Sequence, residues 1–100
     1  MPPNISLELV SDRIETVMHP AINMSLFDLG MIRDIRLNNN NASLLLVLPS
    51  PTIPIVNLLI TLLKDSVQEF GVELDVNIGQ MTQEEIQIFL AKEKEAWKGL

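Results

Sequence analysis

The chain has 100 residues, enough for one domain that buries its own core, and we expect a single domain over residues 1–100. Its net charge is −6 and its 7 Lys and Arg residues are scattered, so binding to nucleic acid or to an anionic membrane is a poor hypothesis. It contains no cysteine, which excludes disulfides, a cysteine nucleophile and thiolate ligands to a metal.

The apolar segments are too short to predict a membrane protein. The most apolar run, Ile53–Leu63, has about half of the ~20 residues that span a bilayer. The N-terminal segment has no basic region followed by an apolar run, which a signal peptide would have. We therefore expect a cytoplasmic protein.

The first predicted element is an amphipathic helix. Its apolar residues recur at spacings of three and four: Leu7, Val10, Ile14 and Val17. Asn4 or Ser6 is the candidate cap. Because His19 precedes Pro20, which disfavours helical geometry, the helix is expected to end near Met18.

An irregular segment then leads into a predicted hairpin. The sequence Asp28-Leu29-Gly30 indicates a turn in which Gly30 takes a positive φ. Met31–Leu37 predicts a strand whose alternation is broken at Arg33. Asn38–Asn41 suits the hairpin turn, and Ala42–Leu48, apolar on both faces, predicts a central strand.

A proline-rich segment, residues 49–54, separates the hairpin from a second helix. Thr52 is the candidate cap of that helix, and Pro54 fits its first turn. The helix is predicted over Ile55 to Phe70 and carries only a narrow polar stripe, which indicates apolar contacts on two sides. Since 47% of the chain is hydrophobic, we expect a homodimer or higher oligomer that covers the surplus.

The remaining elements are a strand and a third helix. Val72–Ile78 alternates apolar and polar residues, which is typical of a half-buried strand, and Gly71 ends the helix before it. Thr82–Glu85 reads as a capping box. The order α-β-β-α-β-α predicts an α/β (α+β) fold, a small mixed three-stranded sheet with helices, whose strand order stays open.

Four polar residues are candidates for function, each with a structural interpretation beside it. His19, the only histidine, is more often structural, and Asp28 more often anchors its turn than acts directly. Ser50 and Thr52 lie where a helix N-terminus could favour an anion, although capping is the more common explanation of such residues. Because the hairpin places the start of its first strand beside the end of its second, the Asp28 turn and the Ser50–Pro54 loop should share one edge of the sheet.

These segments, in this order, resemble the SufT/PaaD-like domain family, the metal–sulfur cluster biosynthesis domain of iron–sulfur cluster assembly. The resemblance covers roughly residues 5–80 and rests on three segments, His19-Pro20-Ala21, Phe27-Asp28-Leu29-Gly30-Met31-Ile32 and Pro49-Ser50-Pro51-Thr52-Ile53-Pro54. The loop cysteine of the family falls on Ile53 here, and the glycine before it falls on Thr52.

The resemblance implies a non-enzymatic accessory domain that docks onto a protein partner, with the iron–sulfur assembly machinery as first candidate. His19, Asp28, Ser50 and Thr52 would form the partner-binding surface, with no catalytic residue, cofactor or metal ligand. One alternative is a structural subunit of a multiprotein oxygenase-type complex, as in the PaaD-like branch. Another is a hydrolase or lyase that uses His19 and Asp28.

Overall fold

A computed structural model describes residues 5–49 and 55–97. The predicted element order and the α+β class are confirmed, with one short 3-10 helix added. The elements are α1 (Leu7–Ile14), β1 (Ile32–Asn38), β2 (Asn41–Leu48), α2 (Val56–Ser66), the 3-10 helix (Gln68–Phe70), β3 (Glu73–Gln80) and α3 (Gln83–Ala96).

The strands form one mixed sheet in the order β1-β2-β3. β1 and β2 are antiparallel, and β2 and β3 are parallel and stay in register from Asn41 opposite Glu73 to Leu48 opposite Gln80. β2 is therefore the central strand, as its apolar sequence predicted. Asn39 has a φ of 57° in the hairpin turn, a conformation that asparagine tolerates.

β1 contains a bulge that explains its imperfect alternation. Arg33 lies opposite Leu45 and Arg36 lies opposite Ser43, so three steps along β1 match two steps along β2. Asp34, within the bulge, has a φ of 53°. The extra residue changes the side on which the following side chains lie.

α1 is shorter than its apolar spacing predicted. Ser6 caps it by accepting a hydrogen bond from the Leu9 amide at 3.1 Å, but the helix ends at Ile14 and not near Met18. The amides of Thr16 and Val17 each donate to a carbonyl three residues earlier, which tightens the chain out of α geometry. Val10, Ile14 and Val17 are buried as expected, whereas Leu7 is exposed.

The predicted second helix is divided in two. α2 ends at Ser66, the 3-10 helix continues to Phe70, and Gly71 closes it with a φ of 71°. The N-cap position of α2 is occupied by Ile55, which makes no side-chain cap bond. The predicted cap Thr52 lies outside the described residues, as does Pro54.

Most apolar side chains of α2 pack within this chain. Leu59 and Leu63 are fully buried, and several neighbours are partly buried against the same core: Ile55, Val56, Ile60 and Leu62. Leu58 remains 45% exposed. The apolar surplus behind the predicted oligomer is therefore smaller than the sequence indicated, and the oligomer stays a prediction.

Arg13 connects α1 to the end of α2. Its guanidinium lies 4.7 Å from the centre of the Phe70 ring, donates to the Ser66 carbonyl at 3.2 Å and pairs with Glu69. It thus satisfies a carbonyl at a helix end, where no intrahelical donor is available.

α3 begins at the predicted capping box. The Glu85 amide donates to the Thr82 hydroxyl at 3.2 Å, and the Thr82 amide donates to the Glu85 carboxylate at 2.7 Å. Of the side chains of α3, only Phe89 is buried. None of the helices within residues 5–49 and 55–97 has the length and apolar character needed to cross a membrane.

Candidate functional site

Three strand ends meet at one edge of the sheet. The Met31 carbonyl, at the start of β1, accepts a hydrogen bond from the Val47 amide at 2.8 Å, near the end of β2. The Leu48 carbonyl in turn accepts from the Met81 amide at 2.9 Å, just past the end of β3. The turn before Met31 and the chain at Pro49 therefore leave the sheet at the same edge.

Of the two segments predicted to form the site, the structure describes the Asp28 turn but not residues 50–54. The turn Asp28–Gly30 directly precedes Met31 and is described in full. Ser50 and Thr52 belong to residues 50–54, which lie outside the described part of the chain. Their predicted place beside Asp28 stays a prediction.

Ser25 anchors the turn, a function that the sequence interpretation gave to Asp28. The Ser25 hydroxyl accepts from the Asp28 amide at 3.0 Å, and its carbonyl accepts from the Leu29 amide at 3.0 Å. Gly30 takes the predicted positive φ, at 80°, and its amide donates to the Phe27 carbonyl. Ser25 itself is buried, so the anchor is shielded from water.

The Asp28 carboxylate projects from a turn whose backbone is held elsewhere. Asp28 is exposed, and its carbonyl oxygen accepts a hydrogen bond from the Lys92 ammonium of α3 at 2.6 Å. Within residues 5–49 and 55–97 the carboxylate has no hydrogen-bond or ion-pair partner. The neighbouring Phe27 side chain is also exposed. The turn thus presents a charged group and an aromatic ring to solvent on a fixed backbone.

His19 lies in the same loop but is mostly covered. Its side chain is 7% exposed, and its Nδ1 atom accepts a hydrogen bond from the Ala21 amide at 3.0 Å. Because Nδ1 is an acceptor, the neutral ring carries its proton on Nε2. The backbone amide of His19 donates to the Met24 carbonyl, so both parts of the residue brace the loop.

Contacts with α3 were not foreseen from the sequence. Arg33 of β1 forms an ion pair with Glu85, and Lys92 reaches the Asp28 carbonyl. At the other end of α3, the Asn23 amide donates to the Ala96 carbonyl at 2.8 Å. These contacts join residues far apart in the chain, so no local pattern signals them. They place α3 along the loop that carries the Asp28 turn.

A metal site is not apparent among these side chains. Across the described ranges, 5–49 and 55–97, no group of three or more His, Asp or Glu side chains is placed to hold a metal ion.

Comparison with known proteins identifies the family. A family model described as "Iron-sulfur cluster assembly protein" matches residues 7–78, from α1 through most of β3. The crystal structure of a domain of unknown function, DUF59, from Bacillus anthracis has the same fold, with a TM-score of 0.67 and 21% identity over 84% of this chain and 90% of that one. No match is found among proteins of curated function. Since the family model covers well over half of the sequence, the chain belongs to the iron–sulfur cluster assembly protein family.

Proposed function

We propose that this protein is a non-enzymatic accessory domain of iron–sulfur cluster assembly that acts by docking onto a protein partner. The docking surface would consist of Phe27, Asp28 and residues 50–54, and is called the Asp28 surface below. Its members Ser50 and Thr52 would add hydroxyl groups beside the carboxylate. His19 would hold the loop in place behind this surface.

One observation carries the proposal, the exposed Asp28 carboxylate on a turn held by other groups. Ser25 and Lys92 fix the backbone of the turn, and neither engages the carboxylate. A charged group that does not stabilise its own turn is available to a partner, and rigidly held loops at a sheet edge are a usual place for function. Family membership directs the choice of partner towards the assembly machinery.

The cluster itself would be a cargo of the partner and not a group bound by this chain. Iron–sulfur clusters are normally held by cysteine thiolates, and the sequence has none. Ile53 occupies the position of the family's loop cysteine by resemblance. The protein would therefore contribute by docking and not by ligation.

The two alternative functions have weaker support. A hydrolase or lyase would need His19 as a base, but its Nδ1 accepts from Ala21 and its ring is buried. A structural subunit of an oxygenase-type complex would use the same docking surface with a different partner.

Affinity purification of the tagged protein from its native cell, read by mass spectrometry, tests the proposal. Capture of iron–sulfur assembly proteins is the expected result. Capture of a single enzyme complex would favour the oxygenase-type subunit, and hydrolytic or lyase turnover that is lost in His19→Ala would replace docking by catalysis.

A further inference from the structure

The two edges of the sheet differ in a way that bears on self-association. The β1 edge is interrupted by the bulge between Arg33 and Arg36, a device that prevents edge pairing. β3 forms the other edge, is 8 residues long and keeps register with β2 along its whole length. Within residues 5–49 and 55–97, no strand pairs with the outer side of β3.

The hydrogen-bonding groups of β3 show which residues face outwards. The Glu73 amide donates to Asn40, and the Met81 amide donates to Leu48, so the odd-numbered residues direct their backbone groups towards β2. Because these directions alternate along a strand, the amides and carbonyls of Leu74, Val76 and Ile78 point away from β2. They form a regular row of donors and acceptors at the open edge.

The side chains of the same three residues share one face of the sheet. Register pairs Val76 with Leu44 and Ile78 with Leu46, two buried residues of β2. Burial decreases along β3, from buried Leu74 through half-buried Val76 to Ile78, which is 50% exposed. The apolar face at this edge is therefore least covered at its end, at Ile78.

We propose that a second copy of this chain pairs along β3, antiparallel and about a two-fold axis, joining two sheets into one continuous sheet. In the proposed register Val76 lies opposite its own counterpart, and Leu74 lies opposite Ile78 of the second copy. Such an interface is isologous, with the same surface used by both copies. All the outward-facing backbone groups of these residues then find partners.

Side-chain chemistry selects this register over its neighbours. Here Asp75 lies opposite Asn77, so carboxylates do not oppose each other. A shift of two residues in one direction would place Asp75 opposite itself, and a shift in the other direction would place Leu74 opposite Gln80. A shift of one residue would set apolar side chains against the polar face.

The surface beside β3 has room for the incoming side chain. A groove of about 420 Å³ adjoins the first half of the strand. Its apolar lining is Val72 and Leu74, and polar side chains line the rest: Lys64, Asp65, Gln68, Glu73 and Asp75. Ile78 of the second copy arrives opposite Leu74 and so next to this groove. The half-exposed isoleucine and the groove are thus brought together by the same register.

A cysteine introduced at the axis tests the register. Because the chain has no cysteine, Val76→Cys provides a single thiol. Directly opposite residues of a hydrogen-bonded antiparallel pair have Cα atoms about 5.5 Å apart, within the range of a disulfide. Mild oxidation should convert Val76→Cys to a covalent dimer on a non-reducing gel, while the exposed control Glu8→Cys stays mostly monomeric. Equal yields from the two variants would overturn the register.

Light scattering after size exclusion tests the dimer itself. The unmodified protein at micromolar concentration should show twice the monomer mass of 11.2 kDa. Ile78→Lys should return it to the monomer mass with an unchanged far-UV circular dichroism spectrum, as should Val76→Pro, because that amide faces away from β2. The control Ile88→Lys, at a side chain 56% exposed on α3, should leave the dimer intact. A monomeric unmodified protein, or a dimer that survives both β3 variants, would overturn the proposal.

Discussion

At the scale of single residues, two side chains stabilise the backbone of other segments through hydrogen bonds. Arg13 joins α1 to the turn after α2, and Ser25 anchors the turn that presents Asp28. Both use hydrogen bonds to the backbone, where a lost partner leaves a group unsatisfied. Each bond makes a specific prediction about stability.

Arg13→Lys should lower the free energy of unfolding by about 1–2 kcal/mol, because lysine keeps the charge but loses the planar contact with Phe70 and the bond to Ser66. Urea unfolding monitored by circular dichroism measures the change. Arg36→Lys, at an exposed position of β1, is the control and should change stability little. Equal effects of the two substitutions would contradict the role given to Arg13.

Ser25→Ala should cost about 1–3 kcal/mol, since it removes the acceptor of the Asp28 amide at a buried position. Asp28→Asn should stay within about 0.5 kcal/mol of the unmodified protein, because the carboxylate does not hold the turn. Thermal melts of the two variants provide the comparison. A larger loss in Asp28→Asn would return the anchoring function to Asp28.

At the scale of elements, the sequence predicted their types and order because periodicity and turn residues are local signals. The Asp28–Gly30 turn, the asparagine hairpin and the Thr82 capping box all formed as expected. The early end of α1 depends on tight turns around Thr16. The expectation that α1 would end near Met18 came from Pro20, and a proline gives no signal for turns that begin several residues before it. The bulge in β1 was visible only as a broken alternation at Arg33.

The contacts around the candidate site could not be predicted from the sequence. The Arg33–Glu85 pair and the bond from Lys92 to Asp28 are long-range contacts. Such contacts follow from the folded chain path, which composition and periodicity do not encode. The shared sheet edge could be predicted by topology, whereas the position of α3 along the loop could not.

α3 is expected to open more readily than the sheet. Phe89 is its only buried side chain, and Ile86 and Ala96 pack only partly against the core, whereas β2 is central and mostly buried. Local opening follows from few buried contacts. Hydrogen exchange followed by mass spectrometry should show faster exchange in Gln83–Ala96 than in Asn41–Leu48. Equal protection of both segments would mean that α3 opens only with the whole domain.

At the scale of the whole molecule, the fold brings one loop and three strand ends to a single edge. The family model relates the chain to iron–sulfur cluster assembly proteins. Because the sequence has no cysteine to ligate a cluster, the proposal gives this chain a docking function only. In the sheet order, β2 separates β3, the edge of the proposed dimer, from β1, the strand that the Asp28 turn precedes.

The isolated protein should bind no iron–sulfur cluster, because it offers no thiolate. Anaerobic reconstitution with iron and sulfide followed by desalting is the measurement. The expected result is a colourless protein without stoichiometric iron or sulfide. A visible chromophore with both elements retained on the protein would contradict the proposed division between docking and ligation.

The most direct test of the docking proposal compares two aspartates. The partner captured from the native cell is titrated against the unmodified protein, Asp28→Asn and Asp12→Asn, and the dissociation constants are measured by calorimetry. Asp12 is also exposed, lies on α1 and is not a member of the Asp28 surface, so both variants lose one carboxylate. The account predicts that Asp28→Asn weakens binding about tenfold or more, as expected for a lost charged hydrogen bond of about 1.5–3 kcal/mol, while Asp12→Asn binds like the unmodified protein. Equal affinities for all three proteins would contradict it.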